Sequence, residues 1–105
     1  MFARNVSIHL RSTNMLFDYA RTFEKDVLPL LHKQNGFKDE ITLSTPGSVD
    51  VIAISLWENK ASAEAYNTNA YPQVLKTMER FIEGAPKVQT FETVTSTFHK
   101  VAVAA

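Results

Sequence analysis

The chain has 105 residues, 45% of them apolar, and its eleven basic residues are balanced by eleven acidic ones. That length suits one domain, residues 1–105, which can bury roughly 60–70% of its unfolded surface without cross-links. Neutrality with scattered basic residues argues against nucleic acid or an anionic membrane surface as partner, and the absence of cysteine excludes disulfides, thiolate metal sites and cysteine nucleophiles.

Met1-Phe2-Ala3-Arg4-Asn5 carries no apolar signal core, and no apolar run approaches the ~20 residues needed to span a bilayer. The cytoplasm is the expected location. In chain order, residues 2–10 alternate, with Phe2, Val6, Ile8 and Leu10 on one side and Ala3, Asn5, Ser7 and His9 on the other, the period of a strand. Ser12, Thr13 and Asn14 offer helix N-caps. Leu16, Ala20, Phe23, Val27, Leu30 and Leu31 then follow helical spacing, with Asp18, Arg21, Lys25 and His32 opposite. Pro29 is expected to bend this helix, and Gly36 to close it in a left-handed conformation.

Residues 37–45 read as a second strand and 49–57 as a third, joined through Pro46-Gly47 in a hairpin. Asn59 is positioned to cap a helix over 60–69. Pro72 breaks it and pushes Tyr71 out of helical geometry. A short helix resumes with Val74, Leu75, Met78, Phe81 and Ile82 inside, and Gly84 is expected to end it. Residues 88–101, rich in valine, threonine and phenylalanine, read as a last long strand.

The order strand, helix, strand, strand, broken helix, strand predicts an α+β fold of the ferredoxin-like βαββαβ kind. It has a four-stranded antiparallel sheet, helices on one face, and strands one and three at its centre. Two helices cover only one sheet face, yet the third strand is apolar on both: Ile52, Ile54 and Leu56 on one, Val51, Ala53 and Trp57 on the other. A bare face of that kind exceeds what monomers usually expose. A second copy, sheet against sheet, is the expected cover; a mixed open face on a monomer is the competing outcome.

The stretch Val27-Leu28-Pro29-Leu30-Leu31-His32-Lys33-Gln34-Asn35-Gly36-Phe37 resembles the antibiotic biosynthesis monooxygenase family. Ser55-Leu56-Trp57-Glu58, followed by Ala61-Ser62-Ala63-Glu64-Ala65-Tyr66, is similar to that family's second signature. The resemblance implies a dimeric α+β barrel. It also implies one of several activities: oxidation of phenolic or quinol-type substrates without metal or flavin, haem degradation, or no established activity. The haem-degrading branch uses an Asn on strand one, a Trp on helix two and a His further along. Here Asn5 stands at the first place, Tyr66 at the second and Lys76 near the third, so the axial histidine is missing and that route is not expected.

In the arrangement the resemblance implies, the face of small and polar residues, Ala3, Asn5, Ser7, His9, Val51, Ala53, Ser55 and Trp57, lies beneath the helices. The bulky face, with Phe2, Val6, Ile8, Leu10, Ile52, Ile54 and Leu56, meets the partner. Polar groups converging in an apolar setting make a small-molecule pocket. The expected catalytic residues are His9, as base, and Asn5, as a donor to the substrate anion. Ser7, Ser55, Trp57, Tyr66 and Tyr71 are expected to bind substrate. Each also has a structural explanation: Asn5 as a strand-end partner for backbone groups, His9 as a solvated residue, Trp57 as core, and the tyrosines as packing. His9, His32 and His99 have no paired spacing and make no metal site. No phosphate loop or nucleophile elbow is present.

Two functions fit this reading. One is a cofactor-independent oxygenase, in which a base deprotonates a phenol or quinol, the anion passes an electron to dioxygen, and the radical pair recombines. The other is a non-enzymatic dimeric module that binds a small apolar or aromatic ligand or serves a stress-related structural role. No cofactor and no metal are expected in either case.

Overall fold

The computed structural model describes residues 1–101. Strand β1 runs Phe2–Leu10, β2 Phe37–Ser44, β3 Asp50–Trp57 and β4 Ile82–Glu92; helices α1 (Leu16–Thr22), α2 (Leu28–His32), α3 (Lys60–Asn69) and α4 (Tyr71–Met78) lie between them. All strand pairs are antiparallel, in the order β2-β3-β1-β4. This is the expected α+β ferredoxin-like topology with β1 and β3 at the centre. The core lies between one sheet face and the helices, where Tyr19, Phe23, Val27, Leu31, Trp57, Tyr66, Val74 and Met78 are buried together. No helix among the described residues is long and apolar enough to cross a membrane.

Local chemistry accounts for most element ends. Pro29 has no N–H to donate one turn back, and its ring crowds that carbonyl. The chain widens just before it into a π-helical turn, Phe23–Val27, where the Leu28 N–H donates to the Phe23 carbonyl. Asn59 caps α3 as expected, its side-chain oxygen accepting from the Ser62 N–H at 2.9 Å. Ser12 does not cap by its side chain: its hydroxyl donates instead to Asn14 Oδ1 at 2.6 Å.

Two boundaries differ from the sequence reading. Tyr71 opens α4 rather than leaving helical geometry, because Pro72 sits in the first turn, where its missing N–H costs nothing. The break falls instead at Ala70, with φ −123°. Gly84 does not end a helix. It lies inside β4 at φ +73°, where the pairing with β1 shifts between Ser7 and His9; glycine and the nearby Pro86 accommodate this bulge. The last strand therefore begins at Ile82 and ends at Glu92, and residues 93–101 are irregular.

Gly36 serves two purposes. It holds φ +79°, and a Cβ there would stand 2.3 Å from Ser62 Oγ on α3, while its carbonyl accepts from the Glu58 N–H at 2.7 Å. Gly36→Ala is expected to cost about 2–4 kcal/mol, summing left-handed strain and overpacking. At Gly47, also at positive φ but with nothing nearby, alanine should cost only about 1–2 kcal/mol. Urea midpoints of the two variants measure the difference; equal losses would remove the close approach from the explanation.

Candidate active site

Register decides which side chains reach the interior. In β1 and β3, Phe2 stands opposite Trp57, Arg4 opposite Ser55, Val6 opposite Ala53 and Ile8 opposite Val51. Directly opposed residues of an antiparallel pair share a face. The even residues of β1 therefore go with the odd residues of β3 beneath the helices.

This corrects the expected faces. Ser55 and Trp57 lie beneath the helices, as predicted. Asn5, Ser7 and His9 do not: they share the open face with Ile54, Ile52 and Asp50. A single-residue offset moves a whole strand's side chains to the other face, and alternation within one strand carries no information about that offset. His9 is exposed, its Nδ1 donating to the Asp50 carboxylate at 2.5 Å. The Asn5 side-chain oxygen is buried without a hydrogen-bond partner among the described residues.

Between sheet and helices lies a narrow cavity of about 50 Å³ that opens at the surface. Its floor is Arg4, Val6 and Ile8 of β1, Glu40 of β2, and Ala53 and Ser55 of β3. Its roof is Tyr19, Phe23, Leu31, Tyr66, Tyr71, Val74, Leu75 and Met78, and Ile82 and Pro86 close it along β4. Of the residues expected to bind substrate, Ser55, Tyr66 and Tyr71 meet here. Trp57 stands behind Tyr66, stacked at 4.9 Å with 29° between the rings, its indole N–H donating to Ser55 Oγ at 2.9 Å. Phe37 meets Trp57 edge-on at 5.5 Å. Tyr66 in turn approaches Tyr71 at 6.1 Å, so one wall of the cavity is continuous aromatic surface.

Two charged groups in the cavity were not singled out from the sequence. Arg4 is only 3% exposed, its guanidinium 3.9 Å from the centre of the Tyr71 ring and 5.3 Å from that of Tyr66. Its Nη2 donates to Asn67 Oδ1 at 2.7 Å. Glu40, half-buried, accepts from the Thr42 hydroxyl at 2.6 Å. Burial pushes its carboxyl above the ordinary range, and the Thr42 hydrogen bond only partly offsets that. The signal for Arg4 was present: it is the one charge in the series Phe2, Arg4, Val6, Ile8, Leu10. Glu40, in a strand without clear alternation, gave none.

The three tyrosines stay protonated through the neutral range. Burial raises the Tyr66 phenol to about 12, against the lowering effect of the Arg4 charge. It raises Tyr19 further, with the Glu40 charge adding to the effect. Burial also raises Tyr71, opposed by the Arg4 charge and by hydrogen bonding between Arg4 and the phenol. The cavity thus offers hydroxyl donors, one carboxyl with raised proton affinity and one fixed cation, all in apolar surroundings.

No family model matches the sequence, and no curated protein sequence matches it. Solved structures do match. A Nitrosomonas europaea protein of unknown function superposes with a TM-score of 0.74 at 14% identity, over 95% of each chain. SnoaB, a cofactor-independent oxygenase from Streptomyces nogalater, gives 0.73 at 8% identity, over 91% of this chain and 95% of that one. The ActVA-Orf6 monooxygenase of Streptomyces coelicolor, solved with nanaomycin D, gives 0.72 at 14% identity, over 94% of this chain and 92% of that one. Identities this low speak to architecture alone, and on architecture they agree: the chain has the fold of the antibiotic biosynthesis monooxygenases.

Proposed function

We propose that this protein is a cofactor-independent monooxygenase acting on a small, electron-rich aromatic substrate of phenol or quinol type, bound in the central cavity. The observation that carries this reading is Glu40, a carboxyl of raised proton affinity on the wall of a largely apolar and aromatic chamber that also holds Arg4 and Ser55. A general base works best when its pKa is near the working pH, and burial moves a carboxyl in that direction. The fold shared with SnoaB and ActVA-Orf6 supports the reaction class.

In this mechanism Glu40 takes the phenolic proton, and the substrate anion passes one electron to dioxygen. The substrate radical and superoxide combine, forming a carbon–oxygen bond, and the peroxide anion regains the proton from Glu40. Glu40 then removes the hydrogen from that carbon as the O–O bond breaks. The carbon becomes a carbonyl and hydroxide leaves as water with that proton. One phenol and one dioxygen give one quinone and one water. The protein supplies the proton transfers, and the aromatic wall orients the ring and keeps water out. His9, expected as the base, would have to act from the open face, away from this chamber.

Oxygen-electrode measurements with a panel of quinols and polycyclic phenols test the proposal. Oxygen uptake matched by quinone formation is expected. Binding of those compounds without uptake would defeat the enzyme reading and leave the ligand-binding module.

The assembly belongs to the same proposal. Ile52, Ile54 and Leu56 share the open face with Ile41, Leu43 and Phe91, and of these Ile41, Leu43 and Phe91 are well exposed. The irregular segment after β4 returns to this face: Phe98 lines a groove with Ile41, Ile54 and Leu56, and His99 is hydrogen-bonded to the Asp39 carboxylate. A second copy covers the rest. Sedimentation equilibrium is expected to give a dimer that Ile54→Asp shifts to monomer; a monomeric wild type at all concentrations would refute the assembly.

A further inference from the structure

Arg4 is a permanent cation, since a guanidinium does not lose its proton in proteins. It is buried in the wall of the cavity, yet no carboxylate forms an ion pair with it among the described residues. Its one side-chain hydrogen bond there goes to a neutral amide, that of Asn67. The acid that shares the cavity, Glu40, is not its counter-ion: its carboxyl is raised by burial, with no opposing cation. Buried charges in proteins are ordinarily paired.

The guanidinium also lies against two aromatic rings. The Tyr71 ring covers one side at 3.9 Å, and Tyr66 adds a second aromatic contact at 5.3 Å. Such stacking occupies the π-face of the cation and leaves its N–H edge for an acceptor, the geometry by which arginine receives a planar oxyanion. A buried cation with no carboxylate partner among the described residues, in the wall of an apolar chamber, matches a ligand with an aromatic body and one negatively charged end.

We propose that the cavity takes its ligand as an aromatic oxyanion, and that Arg4 binds the charged oxygen while the ring lies among the aromatic and aliphatic side chains. This rests on reading the cavity as the ligand site and deepens it by naming the ligand's charge. The oxyanion has two chemical sources: a carboxylate carried by the ligand, or the phenolate formed in the cavity once Glu40 has taken the phenolic proton.

Isothermal titration at pH 7 with three probes tests it: 2-naphthoate, the neutral 2-naphthol, and 2,4-dinitrophenolate. Naphthoate is expected to bind at least about tenfold more tightly than naphthol, in keeping with a charge-assisted hydrogen bond. Arg4→Met should abolish that preference while naphthol still binds, and its circular dichroism spectrum and urea midpoint show whether the variant is folded. Arg4→Lys, which keeps the charge without the planar fork, should retain part of it. Dinitrophenolate binding as tightly as naphthoate supports the phenolate source; weaker binding that still exceeds naphthol supports the carboxylate source. Equal affinities for naphthoate and naphthol, a preference that survives in Arg4→Met, or no binding by any probe would overturn the proposal. Charge-selective binding without oxygen uptake would defeat only the oxygenase reading, and uptake with charge-blind binding only this one.

Discussion

Replacing Glu40 with glutamine is expected to lower oxygen consumption about 10²–10⁴-fold, the usual contribution of a general base, and at the same time to raise the melting temperature at neutral pH. The two effects share one cause. Burial raises the carboxyl's proton affinity in the folded chain above its ordinary value in the unfolded one. A group shifted in that direction contributes its full stability only below the unfolded pKa. As pH rises through the folded pKa the native state must ionise a carboxyl in an apolar wall, and that stability is lost. Glutamine mimics the protonated acid and can still accept from Thr42, so it avoids the loss. The melting-temperature gain should therefore be near zero in acid, where wild type is also protonated, and grow to a few °C as pH rises through the raised pKa. Wild-type turnover should rise over that same pH interval, because only the carboxylate can take a proton. Paired pH profiles of rate and melting temperature check both signs. Unchanged turnover in Glu40→Gln would remove Glu40 from the chemistry, and a lower melting temperature at neutral pH would contradict the burial argument.

The fold was legible in the sequence because its signals are local. The alternation in β1, the Pro46-Gly47 turn, the Asn59 cap and the left-handed Gly36 are each decided by residues within a few positions of one another. The site was less legible because it depends on register. Which parity of β1 faces the helices follows from Phe2 lying opposite Trp57 rather than Ala3 doing so, and nothing within either strand specifies that pairing. Grouping residues by size put Asn5, Ser7 and His9 beside Ser55 and Trp57, whereas the sheet puts Arg4 there. Arg4 had no place in that grouping. A lone cation among Phe2, Val6, Ile8 and Leu10 is instead the residue that marks that face as something other than plain core. Gly84 shows the same limit: left-handed glycine suits a helix end and a strand bulge equally, and only the pairing with β1 tells them apart.

Trp57→Ala is expected to destabilise the protein by about 3–5 kcal/mol, the range for truncating a large buried aromatic. Trp57 is fully buried, at 0% exposure, and three interactions end on it. The stacked contact with Tyr66 and the edge contact with Phe37 are each worth about 0.5–1.5 kcal/mol beyond area burial. The Ser55 hydroxyl would lose the indole N–H it accepts from, a loss of about 1–3 kcal/mol for a buried polar group left unpaired. Set against a typical domain stability of about 5–15 kcal/mol, this brings the variant close to unfolding. Trp57→Phe keeps most of the ring contact and loses only the hydrogen bond, so it should cost about 1–3 kcal/mol. Urea titrations followed by far-ultraviolet circular dichroism measure both, at one fixed protein concentration because self-association would couple to stability. A loss below about 1 kcal/mol for Trp57→Ala would show that the cavity wall collapses to fill the space. The consequence for ligand binding follows from the same contacts. Trp57 backs Tyr66, and Tyr66 with Tyr71 packs against the Arg4 guanidinium. Trp57→Phe should therefore stay folded yet weaken the charge preference for naphthoate more than it weakens naphthol binding, because the cation loses orientation while the apolar chamber remains.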